Sequence, residues 1–153
     1  ASVTLAGVEL ETETPEGTAA AGAELATRLR PGDVVLVSGD LGAGKTAFVR
    51  GACRALGVTA PVTSPTFTIG QVYGGAAADV AHLDLYRLEG LGGEDPALLD
   101  DYLTPERIGF VEWPAVGAAA IDRVVARVTL EHAGGDRRRI AVEWAGGAGE
   151  AAA

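Results

Sequence analysis

Apolar and polar positions alternate along the chain in a way that predicts strands and helices in turn. Residues 1–13 alternate, which predicts an edge strand or a short hairpin. A helix is predicted to begin at Thr14-Pro15-Glu16, where a hydroxyl cap precedes a first-turn proline, and to end before Pro31. Asp33–Ser38 is apolar and β-branched with the length of a buried strand, and 45–56 has the pattern of a helix.

The second half is predicted to hold five strands, a short helix and a loop at 58–66, whose two prolines exclude regular helix. The strands are expected at 67–73, 80–85 (after a Gly74-Gly75 turn), 108–111, 123–131 and 137–144, and the helix at Asp95-Pro96 through Leu98, Leu99, Tyr102 and Leu103. The last two strands are expected to form a hairpin around the turn Gly134-Gly135-Asp136. We therefore expect an α/β fold in a single domain over 1–146, with a mixed, partly parallel sheet flanked by helices. Residues 147–153 are expected to be a disordered tail.

A phosphate-binding motif lies between the strand at 33–38 and the helix at 45–56. Gly39-Asp40-Leu41-Gly42-Ala43-Gly44-Lys45-Thr46 fits the P-loop pattern G-x-x-x-x-G-K-[ST], and Ala47 extends the predicted nucleotide-binding stretch. Its glycines let successive N–H groups point at one set of phosphate oxygens, and the helix N-terminus adds its positive end. Lys45, the only lysine of the chain, is predicted to contact the β- and γ-phosphates, and the Thr46 hydroxyl to bind Mg²⁺. The domain over 1–146 is therefore predicted to be a P-loop NTPase domain.

Two acids occupy positions suited to hold the metal or to orient water. Asp84 lies between apolar neighbours in His82-Leu83-Asp84-Leu85, and Glu112 ends the apolar run Ile108–Val111. An acid isolated in an apolar strand costs free energy unless it is paired or binds a metal. We therefore predict that Asp84 and Glu112 act with Lys45 in catalysis and with Thr46 at the Mg²⁺ site.

Other polar residues carry weaker signals. His82 is expected on the sheet face opposite Leu83, as a structural histidine with a satisfied hydrogen bond. Arg137-Arg138-Arg139 is expected to form a solvated face. Trp113 suits core packing as well as it suits a surface that binds a partner or lies near the nucleotide.

Composition narrows the class of partner and nucleotide. The net charge of −9 over 153 residues argues against independent binding to nucleic acid. The chain has no asparagine, so the N-K-x-D motif that reads guanine is impossible and ATP is favoured over GTP. With one cysteine, no secretory signal and no apolar run of membrane-spanning length, a cytoplasmic location and no membrane contact are expected.

Four segments in this order resemble the TsaE (YjeE) family of small bacterial ATPases. They are the P-loop, Ser64-Pro65-Thr66-Phe67, the HLDLYRL run at 82–88 and Val111-Glu112-Trp113-Pro114. The resemblance implies slow, Mg²⁺-dependent ATP hydrolysis, assisted by the partner proteins TsaB and TsaD, in support of threonylcarbamoylation of adenosine 37 in tRNA. It implies contact with tRNA only through those partners and none with DNA. The resemblance also implies that Ser64-Pro65-Thr66 is a switch-like loop and that Pro15 and Arg137 lie near the adenine.

Two alternatives stay open at this point. A P-loop scaffold of this size could belong to a small-molecule kinase, which would transfer the γ-phosphate to a metabolite. It could also be a docking module in which ATP only fixes the conformation of a binding surface.

Overall fold

A computed structural model describes residues 7–39, 44–63, 70–85, 97–112, 121 and 123–145, and these residues form seven strands and three helices. The strands are β1 (Gly7–Thr12), β2 (Val34–Gly39), β3 (Gly70–Tyr73), β4 (Val80–Asp84), β5 (Ile108–Glu112), β6 (Val124–His132) and β7 (Arg138–Trp144). The helices are α1 (Pro15–Ala26), α2 (Lys45–Ala55) and α3 (Ala97–Asp100). In this part of the chain no helix is long and apolar enough to cross a membrane.

The strands form one mixed sheet in the order β1-β7-β6-β2-β5-β4-β3. The central strands β6, β2, β5 and β4 run parallel to one another, whereas β1, β7 and β3 pair antiparallel. The predicted α/β class and mixed sheet are therefore confirmed, as is the prediction that the first strand lies at an edge.

Two apolar cores lie on opposite faces of the sheet. One packs α1 and α2 against β2, β5, β6 and β7, with Phe48, Val35 and Phe110 near its centre. The other lies under α3 and includes Leu36, Leu83 and Val111. Because side chains alternate along a strand, even-numbered residues of β4 and β5 point to the α2 face and odd-numbered ones to the α3 face.

Several element boundaries were predicted correctly from local signals. The Thr14 hydroxyl caps α1 by accepting a hydrogen bond from the Gly17 N–H at 3.0 Å, with Pro15 in the first turn. β6 and β7 form the predicted hairpin.

Two local predictions were wrong. β3 and β4 are joined by residues 74–79, so the connection is longer than the Gly74-Gly75 turn. The helix predicted to include Tyr102 and Leu103 is the short α3, and both residues follow it in a turn. A Leu103 N–H to Leu99 carbonyl bond of 2.9 Å satisfies the backbone there without continuing the helix.

Glycines bring the backbones of α1 and α2 into direct contact. A methyl group at Gly51 would overlap the carbonyl group of Ala19, and one at Gly22 would overlap that of Phe48. In an isolated helix, alanine is more stable than glycine by about 0.5–1 kcal/mol. Here the close helix contact reverses that preference, and it holds the P-loop helix against α1.

We expect Gly51→Ala to lower the free energy of unfolding by about 1–3 kcal/mol, because the added methyl must force the helices apart. Denaturant unfolding measures the change. Gly74→Ala is the control, since open space surrounds Gly74 and its φ is not positive. A Gly51→Ala protein as stable as the wild type would show that the helices do not pack this closely.

Candidate functional site

The ends of the P-loop are built from backbone conformations that favour glycine. Gly39 ends β2 with φ of 147°, and Gly44 precedes α2 with φ of 96°. A side chain at Gly39 would also overlap the backbone of Leu130 on β6. Residues 40–43 of the motif lie outside the described part of the chain.

Lys45 opens α2 and its side chain folds back toward β2. The residue is 5% exposed, and Nζ donates a hydrogen bond of 2.9 Å to the Gly39 carbonyl oxygen. Lys45 is the first residue of α2, so its positive charge lies near the positive end of the helix. The first turn of α2 contains no acid that would offset these charges. Thr46, the next residue, is half-buried, and Ala47 follows it in the same turn.

The two predicted acids end neighbouring strands at the P-loop end of the sheet. Asp84 is in register with Glu112 across β4 and β5, and Glu112 is in register with Val37 across β5 and β2. Paired residues in adjacent parallel strands lie about 4.8 Å apart and point to the same face. Both acids therefore share the α2 face, close to the strand end from which the P-loop starts, as the sequence predicted.

The environments of these acids differ. Glu112 is 2% exposed, whereas Asp84 is half-buried. Glu112 Oε2 accepts a hydrogen bond of 2.5 Å from His82 Nε2, and His82 is fully buried. The prediction that His82 lies opposite Leu83 is confirmed, but the strand pattern gave no sign that its partner would be Glu112.

The β6–β7 hairpin contributes arginines with different surroundings. Arg137 forms an exposed ion pair with Glu11, with 2.6 Å between Nη2 and Oε1. That contact raises the pKa of Arg137 and lowers the pKa of Glu11 below its usual range. A nucleotide contact of Arg137 stays a prediction.

Arg138 is the arginine that reaches the P-loop. Its Nε lies 3.7 Å from where a Cβ of Gly44 would be, and Nη1 donates to the carbonyl oxygens of Gly135 and Arg137 at 2.7 and 2.8 Å. The expectation of a wholly solvated arginine face is therefore wrong for Arg138. Arg138 alternates in β7 with the buried residues Ile140 and Val142, and this period-two pattern was a usable signal for its inward orientation.

Pro15 and Cys53 lie on the two helices of the P-loop side. Pro15 is exposed in the first turn of α1. One turn later in that helix, the Thr18 methyl group lies 3.5 Å from the position that a Cβ at Gly44 would occupy. A nucleotide contact of Pro15 stays a prediction. Burial raises the pKa of the Cys53 thiol to about 12, which makes it an inert core residue. Ser64-Pro65-Thr66, Arg87, Trp113 and the tail from residue 146 lie outside the described residues.

Across the described ranges, no group of three His, Cys, Asp or Glu side chains could hold a metal ion by itself. The side-chain oxygen atoms of Thr46, Asp84 and Glu112 are of the kind that Mg²⁺ binds together with water and substrate phosphates, and a magnesium site at these residues stays a prediction.

Known proteins resemble this chain over most of its length. The family model of the threonylcarbamoyl adenosine biosynthesis protein TsaE matches residues 12–146. The tRNA threonylcarbamoyladenosine biosynthesis protein TsaE of Bacillus subtilis is 38% identical over 129 residues, covering 84% of this chain and 80% of that protein. The protein of the same name from Streptomyces coelicolor is 39% identical over 117 residues, covering 75% and 79%.

A solved structure shows the same fold. The crystal structure of Bacillus subtilis YdiB superposes with a TM-score of 0.74 at 31% identity, covering 95% of this chain and 90% of that one. With the family model matching nearly the whole chain and two relatives above 30% identity, the chain belongs to the TsaE family of threonylcarbamoyl adenosine biosynthesis proteins.

Proposed function

We propose that this protein is a Mg²⁺-dependent ATPase that supports the threonylcarbamoylation of adenosine 37 in tRNA. The observation that carries the proposal is that Lys45, buried at the start of α2, is hydrogen-bonded to the end of β2, while two acids end the next strands of the sheet, β5 and β4, on the α2 face. Membership of the TsaE family supports the part of the proposal that assigns the protein to tRNA modification.

The residues around the P-loop suit a Mg²⁺–nucleotide complex. The positive end of α2 and the Lys45 ammonium group would bind the β- and γ-phosphates, replacing the carbonyl of Gly39 as the partner of Nζ. The Thr46 hydroxyl would bind Mg²⁺, and the carboxylates of Asp84 and Glu112 would hold the metal's water ligands or the attacking water. When bound, Mg²⁺ neutralises charge on the transferred phosphoryl group.

Catalysis would then depend on the orientation of the attacking water molecule and on the stabilisation of charge on the phosphate. Lys45 stabilises negative charge on the phosphate oxygens, and a carboxylate oriented toward a water molecule aligns it for in-line attack. The burial of Glu112 lowers the local dielectric, which strengthens its interaction with the metal site.

The partners we propose are TsaB and TsaD. A net charge of −9 with a single lysine offers few groups to neutralise RNA phosphates, so tRNA would be reached only through those proteins. A cytoplasmic location would be consistent with such a role and stays a prediction.

The decisive experiment measures phosphate release from ATP by this protein alone and with purified TsaB and TsaD. We expect slow Mg²⁺-dependent release that the partners accelerate, with EDTA as the control that abolishes it. Transfer of the γ-phosphate to a metabolite would identify a kinase. Nucleotide binding with no turnover, even with both partners present, would identify a docking module.

A further inference from the structure

The buried pair of His82 and Glu112 is the most enclosed polar contact among the described residues. Both side chains are on the α2 face of the sheet, His82 two residues before Asp84 on β4 and Glu112 at the end of β5. They are 0% and 2% exposed, and the Nε2–Oε2 distance is 2.5 Å. Two polar groups this deeply buried are costly unless each satisfies the other.

The hydrogen-bond pattern fixes which nitrogen of His82 carries the hydrogen. A carboxylate oxygen accepts, so Nε2–H must donate to Oε2. Within the part of the chain that the structure describes, Nδ1 has no hydrogen-bond partner. A hydrogen on Nδ1 would be a buried donor without an acceptor, so the contact with Glu112 decides both the tautomer and the ring orientation.

The same contact restricts Glu112. An unrestrained glutamate side chain has several rotamers, and holding it in one of them has a cost in conformational entropy. The hydrogen bond from His82 to Oε2 restricts the rotamers of Glu112 and the orientation of its carboxylate. Glu112 is one of the two acids proposed above to orient the metal or the attacking water.

We propose that His82 is a positioning residue for ATP hydrolysis, which acts by holding the Glu112 carboxylate in one orientation. This inference rests on the proposed ATPase function and adds a residue to it. A group that holds a functional carboxylate or histidine in this way commonly affects activity by about 10–100-fold when it is lost.

The kinetic test uses two substitutions that differ in hydrogen bonding. His82→Phe keeps a planar ring of similar size and removes the donor, whereas His82→Gln keeps an N–H near the position of Nε2. We expect His82→Phe to lower kcat about 10–100-fold with KM for ATP nearly unchanged. His82→Gln should restore most of that turnover.

Two controls separate positioning from a loss of stability. His132 is the only other histidine of the chain and is exposed on β6, so His132→Phe should leave kcat unchanged. In a double-mutant cycle, His82→Phe should cost little further turnover once Glu112→Gln is present, because the group that it positions is already inactive.

A measurement without nucleotide tests the contact itself. The ¹⁵N NMR spectrum of the His132→Phe protein, in which His82 is the remaining histidine, should show hydrogen on Nε2 of that ring. The Nε2–H proton should be shifted downfield and protected from exchange, and Glu112→Ala should abolish both properties. This spectrum still decides the contact if the His82→Phe protein does not fold.

The outcomes distinguish the inference from the function on which it rests. Wild-type kcat in His82→Phe, equal loss in His82→Gln, or hydrogen on Nδ1 would each overturn the positioning role and leave the ATPase intact. No phosphate release by the wild-type protein with TsaB and TsaD present would overturn both.

Discussion

We expect ATP to bind at least about a hundredfold more weakly to the Lys45→Met protein, because its phosphates would lose contact with the only lysine of the chain. This is the largest effect on nucleotide affinity that we expect. Removing one partner of a buried, charge-assisted contact costs about 2–5 kcal/mol of binding free energy. Methionine retains the unbranched stem that is buried at the start of α2, so packing changes little. Isothermal titration calorimetry with ATP and Mg²⁺ measures the affinity directly.

Arg54→Met is the matched control for this variant. Arg54 lies in the last turn of the same helix, is exposed, and its loss changes the net charge by the same amount. We expect ATP affinity to stay at the wild-type value in that protein. Unchanged ATP affinity in Lys45→Met would refute the P-loop assignment. An equal decrease of affinity in both variants would show that the loss of one positive charge, rather than the loss of Lys45 in particular, weakens ATP binding.

ATP hydrolysis is expected to fall by about a hundredfold or more in Glu112→Gln and in Asp84→Asn, with nucleotide affinity largely kept. Each substitution removes a carboxylate charge from the metal and water site and keeps the shape of the side chain. The amide oxygen of Gln at position 112 can still accept the hydrogen bond from His82 Nε2, so the core contact persists. Steady-state phosphate release with TsaB and TsaD, paired with calorimetry, separates turnover from binding.

Glu143→Gln serves as the control for the two acid variants. Glu143 is exposed on β7 and does not share the register of Asp84 and Glu112. Its replacement should leave both turnover and affinity unchanged. Wild-type turnover in either acid variant would show that this acid does not take part in hydrolysis.

Much of the fold was predictable because its signals are local. The continuous apolar, β-branched run of β2 and the glycines after it identify a strand, a loop and the start of a helix without any knowledge of the rest of the chain. The Thr14 cap and the Gly134-Gly135-Asp136 turn are likewise encoded within a few residues, and both features lie where they were predicted. The length of α3 and the form of the β3–β4 connection were predicted wrongly, because contacts with distant residues can override local propensity. In the β3–β4 connection, the Ala76 N–H donates a hydrogen bond of 2.9 Å to the Leu56 carbonyl oxygen after α2.

The family assignment also followed from the sequence. The four segments that resemble TsaE lie far apart along the chain, yet each is short and contiguous. The family model matches residues 12–146, which covers the P-loop and all three other segments.

The sequence by itself determined which residues can bind phosphate and which acids interrupt apolar strands. Only the tertiary structure decided that β5 lies between β2 and β4, which brings Asp84 and Glu112 into register beside the P-loop strand. It also decided that Glu112 pairs with His82 and that Arg138, rather than Arg137, faces Gly44. Strand neighbours and side-chain partners depend on pairing between segments far apart in the chain, and local periodicity carries no information about which segments will meet.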